Sequence, residues 1–141
     1  MFRVLLPVDS NEDHALAAAR VVTSFPDVAN SISVTVLNVE KEIDVSDSGG
    51  RVTSEDWYDE TDLPESVVRT VAQLEDAGVE TEVRREHGDP ATAIVQVANE
   101  IGADRIIMIT RKRTPTGKVL FGSVTQSVLL NSTVPVTVSA R

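Results

Sequence analysis

The densest chemistry in this chain lies between Thr110 and Val124. Thr110-Arg111-Lys112-Arg113-Thr114-Pro115-Thr116-Gly117-Lys118 carries four cations in nine residues. The whole chain has 13 Lys and Arg against 22 Asp and Glu, a net charge of -9. A concentrated positive loop on an acidic chain points to an anion. Phe121-Gly122-Ser123-Val124 follows and opens an apolar segment with helical spacing at Val124, Val128 and Leu129. Backbone N–H groups at a helix start favour phosphate. These residues in this order suggest a phosphate-binding loop. The competing reading is a solvated basic loop before an ordinary Gly-Ser turn, and spacing by itself does not separate the two. Thr116-Gly117-Lys118-Val119 resembles the end of a P-loop, but the upstream glycine and the Ser/Thr after Lys118 are missing, so it is not read as one.

A second candidate is Asp9, at the end of the first apolar run, Phe2 to Val8. It reads either as a plain turn acid or as a hydrogen-bond acceptor at the carboxyl edge of a sheet. His14 and His87 are far apart in sequence, and a zinc site needs three or four ligands, so neither is read as metal-binding or catalytic. There is no cysteine, which removes disulfides and cysteine-based metal sites. No Ser/His/Asp set or carboxylate pair is apparent along the chain. Acids crowd the stretch 40–62, but their spacing is not that of a calcium loop. That stretch reads as a long solvated acidic loop, with Trp57-Tyr58 available to pin it to the body or to a partner.

These residues need elements to hold them. Phe2–Val8 reads as a strand, with Pro7 near its end where a missing N–H costs least. A helix is expected from about Asn11 to Ser24, capped by Ser10 with Asp13 three residues on, and stopped by Pro26. Ser31–Val39 alternates and is rich in β-branched residues, so it is the second strand. Asp62-Leu63-Pro64-Glu65 looks like a helix start, and Gly78 like its end. Val79–Glu86 alternates with charged residues, as a strand near a sheet edge does. Asp89-Pro90 is a cap followed by proline at the first helical position, and that helix ends at Gly102. Arg105-Ile106-Ile107-Met108-Ile109 is an unalternating apolar run within the strand 104–109, as expected of a strand buried on both faces. The last strand is Val134-Pro135-Val136-Thr137-Val138, with Pro135 marking an edge.

Strand and helix alternate without hairpin signals. The expected fold is α/β, three layers, with a five-stranded parallel sheet, right-handed crossovers and helices on both faces. At 141 residues the chain is one domain with a single core. Nothing approaches the length of a membrane span or a secretory leader, so a cytoplasmic protein is expected. The acidic surface repels nucleic acid. Three lysines among so many acids suit a salty cytoplasm. The exposed last strand must be blunted or paired, and pairing with a second copy gives a two-fold dimer.

Pro7-Val8-Asp9-Ser10, His87-Gly88-Asp89-Pro90, Gly102-Ala103-Asp104, Gly122-Ser123-Val124 and Val134-Pro135-Val136 together resemble the universal stress protein family, over essentially the whole chain. The resemblance implies a Rossmann-like fold and commonly a homodimer through the last strand. Family members that bind ATP carry Gly-x2-Gly-x9-Gly-Ser/Thr after the fourth strand. Gly122-Ser123 match its end, but the earlier glycines fall on Lys112 and Ile109, or on Thr110 if the loop is one residue shorter. Glycine permits close backbone approach to phosphate. Its loss either excludes ATP or is offset by Arg111, Lys112, Arg113 and Lys118, with Gly117 displaced. The resemblance further implies Pro7, Val8 and Asp9 beside ribose or adenine, Val39 on the base, and Gly122, Ser123 and Val124 at the phosphates. The expectation is a stress-response module binding ATP, ADP or AMP, with Mg²⁺ possible, rather than a turnover enzyme, although weak ATP hydrolysis stays open. The alternative is a nucleotide-free homodimeric scaffold that meets an unknown protein partner.

Overall fold

The run Val4-Leu5-Leu6 is fully buried, and both of its pleat directions meet apolar neighbours. It is the middle of strand β1 (Phe2–Pro7), which the rest of the molecule surrounds. In this computed structural model, residues 1–40, 63–110 and 121–140 are described. Helices α1 (Glu12–Thr23) and α2 (Val28–Ser31) lead to β2 (Ile32–Glu40). Then come α3 (Glu65–Asp76), β3 (Glu80–His87), α4 (Pro90–Glu100), β4 (Arg105–Thr110), α5 (Ser123–Asn131) and β5 (Val136–Ala140).

All five strands are parallel, in the order β3-β2-β1-β4-β5. Register follows the pleat. Leu6 sits opposite Val36, and Ile106 opposite Val136. Val4, Leu6, Val34, Val36 and Ile107 turn to one face, where they pack with Ala15, Ala18, Val22, Val67 and Leu74 of α1 and α3. Leu5, Leu37, Ile106 and Met108 turn to the other, against Ile94, Val97 and Val128 of α4 and α5. Burying one such large aliphatic side chain contributes about 1.5–3 kcal/mol. The three-layer arrangement and the edge position of β3 and β5 agree with the sequence pattern.

Helix ends follow local chemistry. Asp89 caps α4 by accepting the Thr92 N–H at 3.0 Å, with Pro90 in the first turn. Gly78 and Gly102 take positive φ (79° and 63°) just past α3 and α4. The following N–H groups close back onto the helices, Val79 to Leu74 at 3.0 Å and Ala103 to Ala98 at 2.9 Å.

Several expectations need correction. Asn11, not Ser10, caps α1, because the Asn11 side chain accepts the His14 N–H at 3.1 Å. The α3 helix begins after Pro64 and has no side-chain cap, so Pro64 stands at the cap rather than inside the first turn. The four-residue α2 carries no apolar periodicity and went unpredicted. The last strand is Val136–Ala140 rather than Val134–Val138. Pro135 precedes it, lending only its carbonyl, which accepts the Ile106 N–H at 2.9 Å. Glu40 belongs to β2, and the rest of the acidic stretch, including Trp57 and Tyr58, lies outside the described residues.

Candidate functional site

In an open parallel sheet, ligands bind beyond the carboxyl ends of the strands where the strand order reverses. Here that place is beside β1, whose neighbours β2 and β4 are approached by helices on opposite faces. A cavity of about 310 Å³ opens there. Pro7, Val8 and Asp9 form its floor, Leu37 and Val39 of β2 and Met108 and Ile109 of β4 its sides. Helices close it: His14 and Ala15 from α1, Pro90 and Ile94 from α4, Val124 and Thr125 from α5.

The Asp9 region is held firmly for a sheet edge. The Val8 N–H donates to the Leu37 carbonyl at 2.8 Å, and the Val8 carbonyl accepts from Asn38 Nδ2 at 3.0 Å. The Asp9 carbonyl accepts from the buried Ser66 hydroxyl at 2.6 Å. The Asp9 carboxylate accepts the Asn11 N–H through Oδ1 at 2.9 Å, closing the turn into α1. That turn explains the shift of the cap from Ser10 to Asn11. Asp9 is thus the turn acid of the first reading, and it also lies on the cavity wall.

Among the described residues Asp9 and His14 are the ionisable side chains of the cavity wall, and Thr125 is its other polar side chain. The remaining walls are apolar. Such a site suits a flat, largely apolar group with a polar tail. Its volume sits at the lower end of ordinary small-ligand pockets, roughly 300–1,000 Å³, enough for a base and a sugar. Among the described residues no group of three or more His, Cys, Asp or Glu side chains could hold a metal ion.

The predicted site residues divide into three groups. Pro7, Val8, Asp9, Val39 and Val124 meet at the cavity. Thr110 is buried at the end of β4, one residue past the wall, while Gly122 caps α5 and Ser123 is its first residue, both outside the lining. Arg111, Lys112, Gly117 and Lys118 lie outside the described residues. His14, Pro90 and Ile94 were not predicted here. Asn38 and Ser66 also escaped notice, although Asn38 falls on the apolar phase of the alternating strand Ser31–Val39, a usable signal. An ion-pair cluster lies apart from the cavity: Arg84 donates to Glu86 and Glu100. The hydrogen bond from Arg84 holds the Glu100 carboxyl below its ordinary range, and the same bond raises the Arg84 guanidinium.

The universal stress protein family model matches residues 1–140. The chain belongs to that family. It is 26% identical to universal stress protein MJ0531 of Methanocaldococcus jannaschii over 96% of this chain and 80% of that protein. Two further matches to curated relatives are partial, spanning 30% and 51% of the relatives' lengths. The structure of hypothetical protein MJ0577 superposes with a TM-score of 0.75 at 28% identity, covering 99% of this chain and 96% of that one. A universal stress protein of Archaeoglobus fulgidus in complex with dAMP shares the fold, with a TM-score of 0.65 at 23% identity over 98% and 97% of the two chains. No helix among the described residues is long and apolar enough to cross a membrane.

Proposed function

We propose that this universal stress protein binds an adenine nucleotide in the cavity beside β1, as a stress-response binding module rather than a turnover enzyme. The observation that carries the reading is the cavity itself. It lies at the carboxyl edge of the sheet, apolar at Val39, Ile94 and Val124, with the anchored Asp9 carboxylate on its floor. The base rests against Val39, and the ribose hydroxyls donate to Asp9. The A. fulgidus relative with dAMP lends support from the same fold. The four cations of the sequence 111–118 supply positive charge that offsets the two absent glycines. Mg²⁺ is not required by this reading.

Calorimetric titration of the purified chain with adenosine, AMP, ADP and ATP tests it. Micromolar to millimolar binding of adenine compounds is expected, and absence of heat with all four overturns it. The chain is further proposed to dimerise through β5, an edge strand whose Val136 and Val138 stay half-buried. Sedimentation of the wild-type chain as a monomer refutes that part alone.

A further inference from the structure

His14 is a polar residue in an otherwise apolar helix face, and its position is fixed rather than incidental. Its N–H is held by the Asn11 cap at 3.1 Å, and the next residue, Ala15, is buried in the core at 2% exposure. Residue 14 therefore sits at a set place on the cavity wall. The imidazole is half-buried and has no hydrogen-bond partner among the described residues. The cavity is two-sided. Val39, Ile94, Met108 and Val124 belong to the α4 and α5 face of the sheet, whereas His14 comes from α1 on the opposite face. Helix α1 also packs against β4, the strand that leads into the cationic stretch.

We infer that His14 is a specificity residue that contacts the phosphate of the bound nucleotide, separating nucleotide from nucleoside. The inference rests on the nucleotide reading above. A ligand laid with its base on the apolar side turns its polar, anionic end toward α1. There it meets Asp9, which repels a phosphate, and His14, the one lining side chain among the described residues that can become cationic. An imidazolium donating to a phosphate oxygen is a charge-assisted hydrogen bond, stronger than a neutral one. Among the described residues, the other charges around His14 are acidic or already paired. On α1 these are Glu12 and Asp13, and Glu12 pairs with Arg69 of α3 at 3.2 Å while Arg69 also pairs with Glu65. Asp9 ends β1. The cavity residues of β4, α4 and α5 are not ionisable.

The sign follows from linkage. A bound phosphate favours the protonated ring, so the contribution is present at low pH and is lost as pH rises through the imidazole range. The test is calorimetry of wild type, His14→Gln and His14→Ala with adenosine and AMP at about pH 6 and about pH 8. The glutamine variant keeps a donor but no charge, and it carries the ligand's own titration as a control. At the lower pH both variants are expected to bind AMP roughly tenfold more weakly than wild type. That deficit shrinks at the higher pH, and adenosine binds all three proteins alike. Unchanged AMP affinity in both variants overturns the assignment. Equal losses for adenosine and AMP also overturn it, since His14 would then touch the base. If wild type binds neither compound, the nucleotide reading falls and takes this assignment with it.

Discussion

Replacing Asp9 by Asn is the most informative single change, because it keeps the turn contact while removing the charge proposed to meet the ribose. Oδ1 accepts the Asn11 N–H at 2.9 Å, and an asparagine side chain still offers an oxygen there. The fold should therefore lose little, within about 0.5 kcal/mol, as for surface changes that leave contacts intact. The charge is what disappears. A hydrogen bond to a charged acceptor contributes about 1.5–3 kcal/mol and a neutral one about 0.5–1.5 kcal/mol. The difference of about 1–2 kcal/mol predicts a roughly 5- to 30-fold loss in adenosine affinity. A phosphate complicates the readout. A bound phosphate is repelled by the Asp9 carboxylate, so removing that charge offsets part of the loss. AMP should therefore lose less than adenosine, and the gap should narrow as salt screens it. Asp9→Ala removes the turn acceptor as well, but Asn11 is exposed and its N–H turns to water, so the added folding cost stays below about 1 kcal/mol. Calorimetry with adenosine and AMP, paired with thermal melts, reads both quantities. Adenosine bound by Asp9→Asn within twofold of wild type would refute the ribose assignment.

Other expectations follow from the core and the charge pattern. Leu74 of α3 is fully buried between α1 and the sheet, so Leu74→Ala should cost about 2–5 kcal/mol, read as a lower urea midpoint with an unchanged slope. Glu100 titrates below its usual range because Arg84 donates to it, so its folded value lies below the unfolded one. Its contribution is present above the unfolded carboxyl range and is lost as pH falls through the folded value. Glu100→Gln should melt lower than wild type at neutral pH, and the two curves should converge in acid. Both groups are exposed enough for salt to shrink the effect. The net charge of -9 with three lysines predicts a melting temperature that rises with KCl, and equal stability without salt would count against halophilic adaptation.

What the sequence made legible depends on how local the cause is. Asp89-Pro90 and the glycines at 78 and 102 act through bonds within a few residues, and each stands where it was expected. The unalternating run Ile106–Met108 had to be buried on both faces because no polar side chain offers a wet one, and it is. Ser10 failed as a cap for a reason equally local but not additive. Asp9 closes its own turn first and moves the helix start by one residue. The cavity was less readable, because its wall is assembled from six elements. Val39 and Val124 lie 85 residues apart and share a wall only through sheet order. Ser66 was invisible for the same reason, since its hydroxyl reaches Asp9 across 57 residues of chain. His14 was judged against metal and nucleophile chemistry, where a lone imidazole is weak. Among the described residues the cavity lining holds a single carboxylate, one hydroxyl and otherwise apolar side chains, so one imidazole is half of its ionisable chemistry. Its weight comes from its surroundings, which a pairwise spacing rule does not count.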